Sequence, residues 1–189
     1  RSIDVMTYSA GAMVGSEGLR ILAGNAAASP PRLGEVYHAA PDADFRRFVA
    51  DMRDYDPLAE RVSVSANMND SALRLSQTVT RASRAGRPDF RELDPEETRW
   101  LVEASRDIGM EAIHVRAEDI PDLSRTSHAF WYDDPWVSSD VLISLLFHLP
   151  AGERGLDRKA GPSGGEYWTF PQDYPERLRK VMDGLRTQE

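Results

Sequence analysis

Apolar positions along the chain alternate between short continuous runs and helical i, i+3, i+4 spacing. The first run, Ile3 to Tyr8 (IDVMTY), reads as a buried strand. Residues 10–23 follow as a helix, with Met13, Leu19 and Leu22 available for packing and Gly24-Asn25 as its stop. After the loop AAASPPR, the run LGEVYHAA (33–40) is a second strand, broken by Pro41-Asp42. Residues 43–54 place Phe45, Phe48, Val49 and Met52 at i, i+3, i+4 and i+7, a helical face. RVSVSA (61–66) alternates as a strand does, and 71–83 reads as a helix. The next helix has a clear start, with Asp94 as cap, Pro95 in the first turn and Glu97 three residues after the cap; Gly109 is a good stop. EAIHVRAE (111–118) is the fourth strand, and a polar loop then leads to the helix SSDVLISLLFHL (138–149).

Strands alternating with helices predict an α/β fold, a parallel sheet of about four strands with helices on both faces. Its first strand would lie at or near an edge. IDVMTY is too apolar for a comfortable exposed edge, so a covering element is expected. The domain is expected to occupy residues 1–150. Residues 151–189, rich in Gly, Pro and charge, read as a tail that docks Tyr167, Trp168 and Phe170 on the domain surface and ends in a short helix over 175–186.

Composition narrows the function classes. A chain of 189 residues is one domain's worth, and its longest apolar run, VLISLLF, is far short of the roughly 18 residues of a membrane span. Net charge is −8 with Lys and Arg scattered singly, so the positive stripe that nucleic-acid binding needs is missing. Without cysteine there is no disulfide framework, thiolate metal site or cysteine nucleophile. Asp133 and Asp134 have no His or Asp neighbour at ligand spacing; they read as a solvated turn, and no metal is expected.

Ser9 stands at the junction of the first strand and the first helix, in Thr7-Tyr8-Ser9-Ala10-Gly11. A serine there is either a helix N-cap or a nucleophile on a tight strand-to-helix elbow. The elbow pattern has glycine two residues on either side of the serine; Gly11 fits, and Thr7 replaces the other. A nucleophilic serine needs a histidine base held by a carboxylate, in the chain order Ser, Asp or Glu, His for this elbow. Of four histidines, His38 and His114 lie in strands and His148 ends a helix, where the dipole suits it. His128 alone sits in a loop past the last strand. The acid is Asp70, after the third strand, or Asp42, after the second; each also precedes a helix and could be a cap. Asp70 is favoured, since its strand end lies nearer the His128 loop.

The segments IDVMTYSAG, GEVYHAAPDAD, RVSVSANMNDSALRLS and IPDLSRTSHAFW together resemble the second half of an α/β-hydrolase, within an uncharacterised bacterial branch of serine hydrolases. The likeness spans residues 3 to about 150. It implies Ser9 as nucleophile, Asp70 as acid, His128 as base and the Ala10 N–H as one oxyanion donor, with no cofactor. Tyr8 and Ala10 stand where that branch often has His and Met, a change next to the nucleophile that bears on substrate fit. The resemblance further implies strands N-terminal to IDVMTY, and hence that this chain is the C-terminal part of a larger domain, the isolated piece being a weak catalyst. The partners expected are a small acyl substrate and that N-terminal part. In the aromatic run HAFWYDDPW, Phe130 and Trp131, with Tyr8, either line an acyl pocket or pack the loop down. Two functions stay open: a serine hydrolase of carboxylic esters or related acyl bonds, and a non-catalytic relative serving as a scaffold or binding module.

Overall fold

The computed structural model describes residues 2–25, 32–106, 110–161 and 164–187. The stop expected at Gly109 and most of the loop AAASPPR lie outside them. Four parallel strands follow in chain order, β1 (Ile3–Tyr8), β2 (Leu33–Ala39), β3 (Ala59–Ala66) and β4 (Met110–His114). They alternate with helices α1 (Gly11–Gly24), α2 (Phe45–Tyr55), α3 (Ser71–Thr80) and α4 (Pro95–Ala104). After β4 come the short α5 (Phe130–Asp133) and then α6 (Pro135–Phe147).

Beyond Pro150 the structure departs from the sequence reading. Residues 157–160 and 166–169 are not a surface tail: β5 (Asp157–Ala160) and β6 (Glu166–Thr169) enlarge the sheet to six strands among the described residues, in the order β1-β2-β3-β4-β6-β5. Strand β6 pairs parallel with β4, and β5 closes the edge antiparallel to it. Helix α7 (Tyr174–Arg186) follows, with Phe170 and Tyr174 fully buried. The anchor of this segment is Arg154. Its guanidinium is wholly buried, and its Nε donates to Asp140 of α6 at 2.7 Å and its Nη1 to Glu111 of β4 at 2.9 Å. A buried cation without such partners would be very costly, so the loop that carries Arg154 is fixed where those carboxylates stand. At the opposite edge, β1 pairs only with β2 among the described residues, and Ile3 is 57% exposed.

Two cores flank the sheet. Val36 and Val62 face α1, α2 and α4 through Leu19, Phe48, Val49, Met52 and Leu101, whereas Tyr37 and Ile113 face α6 and α7. Strand β2 is buried along its whole length, and its ionisable Glu35 and His38 both find partners. Glu35 pairs with Arg61 and accepts from Ser144. His38 bridges Thr7, Oγ1 to Nδ1 at 2.6 Å, and the Tyr55 hydroxyl, at 2.9 Å from Nε2.

Burial pulls the pKa of His38 from its ordinary 6.5 down to about 3. The unfolded chain then takes up this proton first as pH falls, so the folded state loses stability from about pH 6.5 downward until pH nears 3. At about 1.4 kcal/mol per unit, the share due to His38 is about 2–3 kcal/mol at pH 4.5. His38→Gln keeps a polar side chain between Thr7 and Tyr55 but cannot titrate. Denaturant melts at pH 7 and pH 4.5 are expected to show a drop smaller by that amount in the variant; equal drops would contradict it.

Because β1 to β4 are parallel, their C-terminal ends share one edge of the sheet. Ser9, Ala40, Asn67 and the 115–129 loop are therefore brought together from four separate stretches of sequence, at the edge where open α/β sheets bind ligands.

Candidate active site

Ser9 is held on a sharp turn. Its φ is 52°, a left-handed conformation that non-glycine residues rarely adopt, and the residue just after β2, Ala40, matches it at 43°. Three backbone bonds fix the turn. Ser9 N–H donates to Ala39 O at 3.1 Å, and Ser9 C=O accepts from Ala12 N–H and Asp42 N–H, each at 3.0 Å. The absence of glycine at position 7 is met from across the turn: a Cβ at Gly15 would come within 2.5 Å of Thr7 Cγ2. The space that an elbow needs is thus provided on the helix rather than on the strand.

Ser9 is not the helix cap. Ala10 takes the N-cap position of α1 and makes no side-chain cap bond, and no acidic residue stands in the first turn. The positive end of this 14-residue helix consequently opens beside Ser9 without a side-chain cap.

The Ser9 hydroxyl lies 2.8 Å from His128 Nε2, and His128 Nδ1 lies 2.6 Å from Asp70 Oδ2. Asp70 is fully buried, while the His128 side chain is partly exposed. The acid also caps α3, its Oδ1 accepting from Ala72 N–H at 2.9 Å and Leu73 N–H at 3.0 Å. The cap and the partner of His128 are therefore one carboxylate, with one oxygen given to each.

Asp42 stands outside this group. Its Oδ1 accepts from Arg84 Nε at 2.6 Å and from Ser76 Oγ at 2.8 Å, and the cap of α2 is Asp44. Its contribution is through its backbone N–H, which holds the Ser9 carbonyl.

Asn67 is a residue that the sequence did not single out. It is buried, and its Nδ2 donates to Arg125 O at 3.2 Å and to Ser127 O at 3.0 Å, while its Oδ1 accepts from Asn69 N–H. With Ser71, whose N–H and hydroxyl both donate to Thr126 O, it ties the loop carrying His128 to the turn carrying Asp70. Its only sequence signal is an asparagine at a strand end, which describes many turns.

The aromatic run divides. Phe130 is completely buried in the α6-side core and forms no pocket wall, because the turn of α5 carries it inward. Tyr8, Trp131 and the 53%-exposed Tyr132 form a cluster with ring centroids 5.2–5.8 Å apart, and the Tyr8 ring is 5.2 Å from that of His128. Desolvation, followed by the Tyr132 hydroxyl and nearby carboxylates, pushes the Tyr8 phenol up to about 12, so it stays protonated and can donate.

His114 and His148 lie elsewhere. His114 ends β4 against Tyr167, with burial lowering its pKa, and His148 sits at the C-cap of α6 beside Asp4 and Glu60. Asp134, expected in a solvated turn, is buried and caps α6 through Trp136 and Val137 N–H. Among the described residues no group of three or more His, Asp or Glu side chains is placed to hold a metal, and no helix is long and apolar enough to cross a membrane.

The sequence model of one family, described as "Alpha/beta hydrolase of unknown function (DUF900)", matches residues 1–138, a span that includes Ser9, Asp70 and His128 and stops before β5. No curated protein and no solved structure matches the chain.

Proposed function

The chain belongs to this alpha/beta hydrolase family, and from that premise we propose that it is a serine hydrolase cleaving a carboxylic ester or related acyl bond. The observation that carries this reading is the relay Ser9 Oγ, His128 Nε2, His128 Nδ1, Asp70 Oδ2, with separations of 2.8 Å and 2.6 Å across the two gaps. Hydrogen-bond reach between nucleophile and base, and between base and orienting acid, is the geometry that such chemistry requires.

In the proposed reaction Asp70 holds the His128 Nδ1–H, leaving Nε2 as the acceptor. Ser9 Oγ attacks the acyl carbon as its proton passes to Nε2. The oxyanion that forms is stabilised by the Ala10 N–H at the uncapped end of α1. His128 then returns the proton to the leaving alkoxide, giving an alcohol and an acyl-Ser9 ester. Water, deprotonated by His128, attacks that ester and restores the serine. The cluster of Tyr8, Trp131 and Tyr132 beside His128 supplies an apolar wall for one half of the substrate.

Hydrolysis of p-nitrophenyl acetate and butyrate by the protein tests this. Turnover is expected in the parent, with kcat/KM lower by about 10⁴-fold in His128→Ala, since loss of a single member of such a unit removes most of its effect. A folded parent without turnover on any short acyl ester, or a His128→Ala variant as fast as the parent, would contradict it.

A further inference from the structure

We propose that the sheet face under α2 and α4 carries a second binding site, separate from Ser9, that takes the hydrocarbon chain of a medium-length alkyl carboxylate. A cavity of about 400 Å³ lies there, floored by Val64 and Ala112 and roofed by Phe48 and Leu101. Ser9, Asp70 and His128 are not among its walls. The proposal stands on this cavity and does not depend on ester hydrolysis.

Three features of the cavity point to its occupant. The first is wall chemistry: the cavity is partly open to solvent and its walls are almost wholly apolar, so an apolar chain gains by displacing the water there. Its walls offer water few hydrogen-bond partners, so water does not fill it well. The second is shape. Both Met110 and His114, the ends of β4, line the cavity, so it runs about 13 Å along the strand at about 3.3 Å per residue. An extended chain advances about 1.2 Å per skeletal bond, which gives about eleven bonds. That length fits one chain of about ten to thirteen carbons; a fused ring system of equal volume would be shorter and wider.

The third feature is charge at the two ends. Glu166, paired with Arg158, lines the cavity near the start of β6 and disfavours an anion there. Met68 lines it at the other end, and Arg87 sits on Met68, its Nε donating to the Met68 carbonyl at 2.9 Å. Arg87 also donates to Gln77 and has no ion pair among the described residues. Held beside Met68 and without an ion pair among the described residues, the Arg87 guanidinium suits a carboxylate headgroup, which its Nη2 can meet.

Calorimetric titration of the protein with dodecanoate and with dodecan-1-ol, both below their aggregation limits, tests the proposal. Dodecanoate is expected to bind one per chain, equally well in Ser9→Ala, and hexadecanoate at least tenfold more weakly because its tail exceeds the channel. Arg87→Gln should weaken dodecanoate about tenfold and leave dodecanol unchanged. Ala112→Phe, which fills the channel, should abolish binding of both in a protein whose near-UV circular dichroism and Tm show it folded; Leu101→Trp serves in its place if Ala112→Phe does not fold. Absence of saturable dodecanoate binding by the folded parent, or binding that survives the filling substitution, overturns the proposal.

Discussion

Replacing Ser9 with alanine is expected to lower kcat for an acyl ester by about 10⁴–10⁶-fold, the range seen when one member of a nucleophile–base–acid unit is removed. The same substitution is expected to change stability by less than about 1 kcal/mol. These effects separate because Ser9 has two kinds of contact. Its backbone makes the three bonds that fix the turn, and alanine retains all of them at the same left-handed φ. Its hydroxyl meets the partly exposed His128 ring and caps nothing. Steady-state kinetics and thermal melts on the same preparations read both effects. A variant that melts with the parent but turns over at its rate would remove Ser9 from the chemistry. A variant that unfolds would mean instead that the hydroxyl is structural.

The second large effect belongs to Asp70, and here the substitution must be chosen with care. Asp70→Ala would remove an N-cap, worth about 1 kcal/mol, together with the partner of His128, confounding the two. Asp70→Asn keeps them apart. Asparagine caps helices about as well as aspartate, and its carbonyl oxygen can take the place of Oδ1 toward Ala72 and Leu73. Its amide nitrogen then stands in the place of Oδ2 and presents a donor to His128 Nδ1. That favours the tautomer protonated on Nε2, which cannot accept the Ser9 proton. A fall of about 10⁴-fold in kcat is expected, with KM and Tm close to the parent values. If Asp70→Asn retained full activity, the carboxylate would be a cap alone.

Much of the candidate site could be read from local sequence because its three residues lie in the connections that leave the C-terminal ends of parallel strands. IDVMTY marked a strand, the small residues after Ser9 marked a helix, and parallel strands bring such junctions to one edge. His128 was distinguished by elimination, as the histidine in the loop past the fourth strand. What sequence could not decide was which of two similar aspartates partners the histidine. Asp42 and Asp70 each follow a strand and precede a helix; what separates them is Arg84, which occupies Asp42 and is placed beside it by the fold. Asn67 escaped notice for a related reason, since its partners are backbone carbonyls of a loop 58 and 60 residues away, and those could be offered by any residue type.

The C-terminal strands were illegible for another reason. DRKA and EYWT carry no alternation of apolar and polar positions, and β5 is largely exposed. Charge on an outer strand protects an edge, and it also hides the strand from a periodicity reading. Phe130 shows the limit of reading a cluster by composition: within three residues, the α5 turn sends Phe130 into the core and leaves Tyr132 exposed. Thr7 marks where local pattern and tertiary packing exchange roles, with the close approach made possible by Gly15, eight residues away.

The most direct test of the central claim is covalent. A fluorophosphonate reacts with a serine that has been activated by its base, and intact mass followed by peptide mapping counts and places the adduct. One adduct per chain is expected on Ser9, none in Ser9→Ala, and labelling slowed severely in His128→Ala. A folded parent that takes up no label, or takes it up at another serine, would contradict it and leave the chain an alpha/beta hydrolase relative whose Ser9, His128 and Asp70 meet without catalysing acyl transfer.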